Sequence, residues 1–476
     1  MAAPAPAAAP ADGGARLASV VILVGLAARA ALAAALPPVT DEAYYADWAR
    51  HLAAGYYDHP PAVAWLARAG MELLGWNPLG LRFGSLLLQA ATVAMAASLA
   101  RALGGGRAAA TAAVLLTAAP VFSLGAALAT PDAPLAFAWI GALWALERAL
   151  SRSPGWFLAA GAFLGLAALS KLTAGLLAVA ILAALVLADD GRRALATPWP
   201  WAGAALAAAA ASPMLLWNAA HGWPAFAYQA RHGLAGRAFS VARLGASLGA
   251  QAAYLSPLLL LAAVPPAAAA LRAREAARRA VAFTALPVVV FFTASASLTP
   301  GALPHWPAPG WLSAVVLLAA AGSRWLRAAA WTGFAMLAAG LVALAAARLV
   351  PLPALGPGDD PRGWSGALAA ARAAAGGARI AAPHWISYGQ LSWAAGESVA
   401  WVGDRAAAPT FYGEASFTPG EPLLVVTVDR IAPQREALEA RLGPLEPAGW
   451  FTATDRGVEI RTVRFWRARA PAAGRP

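Results

Sequence analysis

Long apolar segments, each closed by a short polar or proline-rich stretch, make up most of the first 350 residues. The first runs from about Leu17 to Leu36, and comparable runs follow it along the chain. About 20 apolar residues in a helix cross a hydrocarbon core of ~30 Å. The pattern predicts an α-helical polytopic membrane protein with about 11 transmembrane helices in residues 17–350, preceded by a disordered tail at 1–16.

One apolar segment has an internal break. Ser170-Lys171-Leu172-Thr173 interrupts the run from Trp156 to Leu187, which predicts two short helices that meet at Lys171. A single tilted span is the alternative, and it would invert the topology of everything that follows.

Arginine-rich loops support the version with two helices, because they then all lie on the same side of the membrane. Such loops face the cytoplasm, so we expect a multi-pass protein of the cytoplasmic (inner) membrane with a cytoplasmic N-terminus. The loops contain Arg101 and Arg107, Arg148 and Arg152, Arg192 and Arg193, Arg272 to Arg279, and Arg324 and Arg327.

The composition changes after residue 350. Glycine, proline and aspartate mark a linker, and strand-like runs at Leu423 to Val428 and Val458 to Trp466 follow, with a helix-like stretch at Arg435 to Arg441. The sequence predicts a small C-terminal α/β domain at 351–470, which an odd number of spans places outside the cytoplasm.

Composition excludes several other classes of protein. The 476 residues are 60% hydrophobic and 12% charged, whereas soluble domains contain about 25% charged residues. The net charge of +12 comes from arginines concentrated in the loops, so we expect a lipid bilayer and no nucleic acid as a partner. The absence of cysteine rules out thiolate catalysis and cysteine-based metal sites.

Polar side chains are densest just after the first apolar segment. Thr40 is a candidate N-cap and Gly55 a candidate stop signal. Tyr44, Trp48 and His51 lie between Thr40 and Gly55 and would share one face of a helix. This spacing predicts a short amphipathic helix lying on the membrane. The carboxylates of this region are Asp41, Glu42, Asp47 and Asp58.

Several such motifs together resemble the C-type membrane glycosyltransferases, in particular the bacterial branch related to dolichyl-phosphate-mannose protein mannosyltransferases and lipid A aminoarabinose transferase. The resemblance implies transfer of one sugar from a polyprenyl-phosphate carrier to an extracytoplasmic protein, lipid A or envelope glycan, usually with inversion. The motifs are, in order, Asp41-Glu42-Ala43-Tyr44-Tyr45 with Gly55 to Pro61, Thr130 to Pro134, Ser170 to Thr173, Trp217 to Trp223, and His305 to Pro309.

Such a reaction requires a base or a positioning carboxylate for the acceptor. The resemblance assigns this role to Asp41, and helix capping is the alternative. Glu42 and Asp132 complete the predicted catalytic set. Glu42 could instead orient Asp41 or a backbone group, and Asp132 could simply form a turn.

The departing lipid phosphate requires cations. Lys171, alone between two apolar helices, is the first candidate, with snorkelling as its alternative. The resemblance adds His59, where the aminoarabinose branch carries a lysine. Arg231 and Arg237 are basic residues on the outer side, and a solvated loop would also explain them. Arg29 lies inside the first span, where it could meet an anion or snorkel.

The remaining assignments concern substrate and metal. Related enzymes bind a divalent metal ion near this position, so the resemblance makes Asp58 and His221 a candidate metal pair, although two ligands from distant loops do not by themselves establish a site. Substrate contacts are predicted for Tyr44, Tyr45, Tyr57 and His305. For His305 and its neighbour Trp306, the alternative is a place in the aromatic belt at the membrane interface.

Two other functions use the same lipid. A transporter or flippase of polyprenyl-linked sugars would favour internal repeats, which the sequence does not display. A glycan ligase or polymerase would also use polyprenyl carriers, but the Asp-Glu motif after the first span favours the single-sugar transferases.

Overall fold

The computed structural model describes residues 13–233, 238–300, 302–349, 360–403, 418–429 and 435–470. Helices fill the described residues up to 349. The first are α1 Gly13–Ala35, α2 Thr40–Trp48, α3 Ala62–Leu74, α4 Pro78–Gly104, α5 Gly106–Ala118, α6 Pro120–Ser123 and, after a 3₁₀ turn at Gly125–Ala127, α7 Asp132–Ser151. The next are α8 Trp156–Ser170, α9 Ala174–Leu187, α10 Asp189–Leu195, α11 Pro198–Ala220 and α12 Pro224–Gly233. The last of this part are α13 Val241–Leu255, α14 Pro257–Ala270, α15 Ala276–Phe283, α16 Leu286–Leu298, α17 Ala308–Ala321 and α18 Leu326–Leu349.

Several of these helices have the length and composition of membrane spans. Among the described residues there are 5 such spans (α1, α4, α11, α15 with α16, and α18), or up to 7 if the bent pairs α9–α10 and α13–α14 each count as one. The helical class is therefore confirmed, but the number of about 11 spans is not. The helices α5, α8 and α17 are apolar but shorter than 18 residues.

The break predicted at Lys171 is present. Helix α8 ends at Ser170, Lys171 has extended backbone angles (φ −160°, ψ 143°), and α9 begins at Ala174. The Ser170 hydroxyl donates to the carbonyl of Leu166 at 2.6 Å. Lys171 therefore lies at a junction between two helices and not inside one continuous span.

A second break lies within the apolar run from Leu244 to Leu271. Helices α13 and α14 meet there at 99°. Ser256 forms the corner with a positive φ of 95°, and its side chain accepts a hydrogen bond from the backbone N–H of Leu259 at 3.3 Å. This cap on the second helix, followed by a proline at its first position, explains why the apolar run does not continue straight.

Helix α2 differs from the surface helix that the sequence predicts. It starts at Thr40 itself and ends at Trp48, well before Gly55, and all its residues except Asp41 are buried. The aromatic face packs against protein: the Trp48 ring stacks on Tyr56 with centroids 4.1 Å apart. Helix α3, which follows the proline pair after this loop, was not anticipated.

The C-terminal residues form a mixed sheet. Its strands are β1 Arg379–Ala382, β2 Ala400–Trp401, β3 Pro422–Val428, β4 Glu446–Asp455 and β5 Val458–Arg469, and its helices are α19 Trp364–Ala375, α20 Trp385–Ala395 and α21 Arg435–Leu442. The strand order is β2-β1-β3-β5-β4, with β1 parallel to β2 and β3, and β5 antiparallel to β3 and β4. The predicted strands β3 and β5 and helix α21 are present. We call the described residues from 360 to 470 the α/β unit.

Alternating side chains of the sheet enter two apolar clusters. Leu424 and Phe465 face a cluster with α19 and α20, which also includes Tyr44 and Trp48 of α2. Residues such as Leu423 face α21. The first cluster is thus shared between the α/β unit and the helix that carries Asp41.

Helices α8 and α11 cross at a pair of glycines. A Cβ on Gly161 would lie 2.0 Å from the carbonyl oxygen of Gly203, and one on Gly203 would lie 2.3 Å from that of Phe157. Such small residues allow helix backbones to approach closely within a membrane.

We therefore expect Gly161→Ala to destabilise the protein by about 1–3 kcal/mol, because the added methyl group meets backbone that cannot rotate away. Denaturant titration of the purified protein in detergent micelles measures this loss. Gly175→Ala is the matched control, since a Cβ there meets nothing within 4 Å. Equal stability of the two variants would contradict this packing.

Candidate functional site

Three interruptions of the helical segments bring an acid, an amine and an imidazole together. Asp132 is the first residue of α7, Lys171 lies between α8 and α9, and His305 lies just before α17. The Lys171 Nζ donates to Asp132 Oδ1 at 2.8 Å, and His305 Nε2 lies 3.7 Å from Asp132 Oδ2. All three side chains are partly buried, and all lie outside the candidate spans.

The first polar loop joins this group through Tyr45. Burial raises the pKa of Tyr45, and the negative charges of Asp41, Asp58 and Asp132 raise it further. The rings of Tyr45 and His59 are 6.2 Å apart in an edge-to-face arrangement. The charges of Asp41 and of Asp132, the partner of Lys171, thus both act on Tyr45. We call Asp41, Tyr45, His59, Asp132, Lys171 and His305 the polar cluster.

The charges in the polar cluster depend on one another. Burial alone would raise the pKa of Asp132, but Lys171, His305 and His59 outweigh it and lower the pKa to about 2. Burial lowers the pKa of His305, Asp132 opposes this effect, and Lys171 adds to it. At neutral pH the Asp132 carboxylate is therefore ionised and the His305 ring is mainly neutral.

Glu42 holds the loops of this site in place. Its side chain is 0% exposed. Oε1 accepts from Arg82 Nε at 2.7 Å and from the backbone N–H of Ala129 at 2.8 Å. Oε2 accepts from Arg82 Nη2 at 2.5 Å and from the N–H of Val39 at 3.0 Å. With two hydrogen bonds on each oxygen, Glu42 orients backbone groups, which is the alternative that the sequence leaves open for it; its catalytic role stays a prediction.

Arg82 extends the same junction to the end of α1. Its Nη1 donates to the carbonyls of Ala33 at 2.8 Å and Leu36 at 2.7 Å, and its Nη2 donates to that of Pro37 at 3.0 Å. A single buried ion pair thus connects α1, α2, α4 and the segment that leads to Asp132. We call it the Glu42–Arg82 junction.

The rest of the first loop is covered by α11 and α12. A Cβ on Gly55 would lie 2.5 Å from the indole of Trp217. Gln229 Nε2 donates to the backbone carbonyl of Asp58 at 2.8 Å, and the rings of Tyr57 and Tyr228 are 5.6 Å apart.

The basic residues proposed for the phosphate are distributed differently. Arg231 is exposed on α12, and Arg237 lies outside the described residues. Arg29 lies in the buried stripe of α1, and its Nε and Nη2 have no hydrogen-bond partner among the described residues. A buried arginine within a span usually meets an anion, so its contact with a ligand stays a prediction.

The predicted metal site at Asp58 and His221 stays a prediction. His221 is exposed, its ring stacks on Trp217 with centroids 4.2 Å apart, and its Nδ1 lies 2.7 Å from the Trp217 carbonyl oxygen. Within the described ranges, no group of three or more His, Cys, Asp or Glu side chains is arranged to hold a metal ion. Two protein ligands are fewer than zinc sites in proteins use.

Tyr44 also departs from its predicted role as a substrate contact. It is 2% exposed and packs between Trp48 and Trp385, with centroids 4.9 and 5.6 Å away. Tyr44 therefore belongs to the apolar cluster shared with the α/β unit, whereas Tyr45 belongs to the polar cluster.

Sequence reasoning missed the partners of α2. Arg82 lies near the start of an apolar span. A charged residue in such a position indicates a buried partner, so the sequence could have identified Arg82 as part of an ion pair. Asp47 is buried and bonded to Tyr388 and Ser398 of the α/β unit. Nothing in the sequence pairs residues that are about 340 positions apart.

Comparison with protein families finds a match to about a third of the chain. The family described as dolichyl-phosphate-mannose-protein mannosyltransferase matches residues 58–217, a range that includes His59, Asp132 and Lys171. This match confirms the resemblance to C-type membrane glycosyltransferases. No curated protein matches the chain in sequence.

Solved structures share the fold over nearly the whole length. ArnT from Cupriavidus metallidurans bound to undecaprenyl phosphate has a TM-score of 0.65 and 19% identity, covering 96% of this chain and 98% of that chain. Its apo state gives 0.64 and 18%, covering 95% and 97%. The Archaeoglobus fulgidus oligosaccharyltransferase in complex with Zn and sulfate gives 0.53 and 13%, covering 94% of this chain and 72% of that chain.

The Glu42–Arg82 junction predicts a large stability difference. Glu42→Gln leaves the Arg82 guanidinium buried without its counter-charge, so we expect a loss of about 3–5 kcal/mol in the free energy of unfolding. Glu72→Gln is the control, because it breaks only the exposed pair with Arg68, worth about 0–1 kcal/mol. Denaturant titration compares them, and similar losses would refute the role of the junction.

The polar cluster predicts opposite shifts of the His305 pKa in two variants. Lys171→Met removes a positive neighbour and should raise this pKa, whereas Asp132→Asn removes a negative neighbour and should lower it further. The rate at which diethyl pyrocarbonate modifies His305, followed against pH by peptide mass spectrometry, reports the neutral imidazole. Arg372→Met, on α19, should leave the profile unchanged. Shifts in the same direction would contradict the arrangement.

Proposed function

We propose that this protein is a membrane glycosyltransferase that moves one sugar from a polyprenyl-phosphate carrier to an extracytoplasmic acceptor. The observation that carries the proposal is the polar cluster, in which Lys171 is paired with Asp132 beside His305, and Tyr45 of the first loop lies against His59. The fold shared with ArnT, solved with undecaprenyl phosphate, supports a polyprenyl-phosphate donor.

The transfer is a single displacement with inversion. The acceptor hydroxyl oxygen forms a bond to the anomeric carbon of the sugar while the bond from that carbon to the phosphate oxygen breaks. The hydroxyl proton passes to the carboxylate of Asp41, which is exposed at the first turn of α2 and acts as general base. The polyprenyl phosphate leaves with one additional negative charge.

The cations of the polar cluster stabilise the negative charge of the departing phosphate. Lys171 is already paired with Asp132 at 2.8 Å, so the phosphate has to share its ammonium group with the carboxylate. The phosphate also raises the pKa of the neighbouring imidazole of His305 and favours its protonation, and His59 is the second imidazole of the cluster. Arg231, exposed on α12, and Arg237 are the further cations that the sequence predicts for the phosphate.

The proposed topology follows the arginine-rich loops. They lie on the cytoplasmic side with the N-terminus, while the polar cluster and the α/β unit lie outside the cytoplasmic membrane. The acceptor is a protein, lipid A or an envelope glycan, and the surface of the α/β unit faces the same compartment as the cluster. No step of this mechanism requires a metal ion.

Two other functions remain as outcomes of the test. A flippase would move the labelled carrier across vesicles without releasing polyprenyl phosphate. A glycan ligase or polymerase would accept a lipid-linked oligosaccharide in preference to the single-sugar donor. The fold shared with the oligosaccharyltransferase makes that second donor a necessary arm of the experiment.

Turnover of a radiolabelled polyprenyl-phosphate sugar by the purified protein tests the proposal. We expect Asp41→Asn to lower kcat by about 10²–10⁴, the usual contribution of a general base, and Lys171→Met by about 10²–10³, as for loss of a charge-stabilising donor. Glu72→Gln should retain full activity. Wild-type activity that survives Asp41→Asn would exclude Asp41 as the base.

A further inference from the structure

Helix α20 of the α/β unit packs against helix α2. The two backbones approach at Gly389, where an added Cβ would lie 2.8 Å from the backbone nitrogen of Tyr44 and 2.9 Å from its Cα. Only a residue without a side chain allows this contact, because the obstructing atoms are backbone. The contact lies three residues from Asp41.

Hydrogen bonds fix the C-terminal end of α2 to the same unit. Asp47 is 1% exposed. Its Oδ2 accepts from the Tyr388 hydroxyl at 2.8 Å, and its Oδ1 accepts from the Ser398 hydroxyl at 2.5 Å. Ser398 Oγ also lies 2.8 Å from Nε2 of His51. A buried carboxylate that loses such donors keeps its desolvation penalty, so this arrangement strongly favours one docking position.

The N-terminal end of α2 is held by Gln390, the residue that follows Gly389 on α20. Gln390 Nε2 donates to the carbonyl of Pro38 at 3.3 Å, beside Pro37, whose carbonyl belongs to the Glu42–Arg82 junction. The α/β unit therefore contacts α2 before its first residue, in its middle and at its last turn.

From these contacts we infer that α20 and the segment after it position α2, and with it Asp41, for the transfer reaction, through Tyr388 and Gly389 of α20, Ser398 beyond α20, and Asp47 of α2. The inference rests on the proposed function. These four are positioning residues and do not touch the reacting atoms. The α/β unit is then part of the active site, in addition to any contact that it makes with the acceptor.

The magnitude follows from helix geometry. Asp41 lies six residues before Asp47, about 9 Å along the helix axis. A tilt of about 10° around the Asp47 contact moves the base by about 1.5 Å, and a misplacement of about 1 Å costs about 10²-fold in rate. A small change at the interface with α20 is therefore sufficient to affect kcat.

Turnover by the full-length protein in nanodiscs tests this role. We expect Gly389→Ala to lower kcat about 10- to 100-fold, with the KM for donor and acceptor unchanged. Gly366→Ala on α19 is the matched control, since its Cβ meets only the ring of Phe451 at 3.0 Å, which can move. An increased acceptor KM with unchanged kcat would overturn the inference, because the unit would then only bind the acceptor.

Milder variants keep the test valid if Gly389→Ala does not fold. Tyr388→Phe and Ser398→Ala each remove one hydroxyl from Asp47, and we expect both to lower kcat without changing KM. Thr452→Val is their control, because it removes a hydroxyl that bonds Thr462 on the sheet. Unchanged kcat in both variants would also overturn the inference.

A distance measurement separates this inference from the proposed function. The chain has no cysteine, so Asp41→Cys and Thr173→Cys introduce unique sites for spin labels beside the polar cluster. We expect Tyr388→Phe to shift and broaden the distribution of label distances, whereas Thr452→Val leaves it unchanged. An unchanged distribution refutes the positioning role, whether or not the protein turns over the donor. Absent turnover by the unlabelled protein that retains Asp41, together with a shifted distribution in the labelled protein, refutes only the proposed function.

Discussion

The Glu42–Arg82 junction is the interaction on which the site depends. Both side chains are almost completely buried, and a buried ion pair is tolerated only when further hydrogen bonds satisfy it. Here those bonds go to the backbone at the end of α1, before α2 and before α7. The desolvation penalty is thus offset by fixing three chain segments at once, and Asp41 and Asp132 inherit their positions from that arrangement.

Interruptions of helices, more than helices themselves, carry the polar chemistry of this protein. Lys171 lies at a break between two apolar helices, and Asp132 and His305 lie at helix starts. At such positions, polar groups lie outside the apolar packing that surrounds a span. Asp132 and Lys171 also neutralise each other's charge, which lowers the free-energy cost of their partial burial. The chain therefore concentrates charge where its spans begin, end or break.

Much of this could be predicted from sequence. Local patterns reveal the apolar helices, the break at Lys171 and the strands β3 and β5, because each depends on neighbouring residues. The motifs placed Asp41, Asp132, Lys171 and His305 in one site because they resemble an ordered family series. Contacts between distant segments could not be predicted: Glu42 with Arg82, Asp47 with Tyr388, and the corner at Ser256. They depend on tertiary packing that no local pattern records.

The sandwiched position of α2 has a consequence for biogenesis. Asp47 and Tyr388 are separated by 341 positions, so ribosomes finish almost the entire polypeptide before this helix meets its second partner. Contacts of such long sequence separation form late, because loop closure must precede them. The contacts of α2 with the helical part of the chain can therefore form first, and its contacts with the α/β unit can form only at the end of folding.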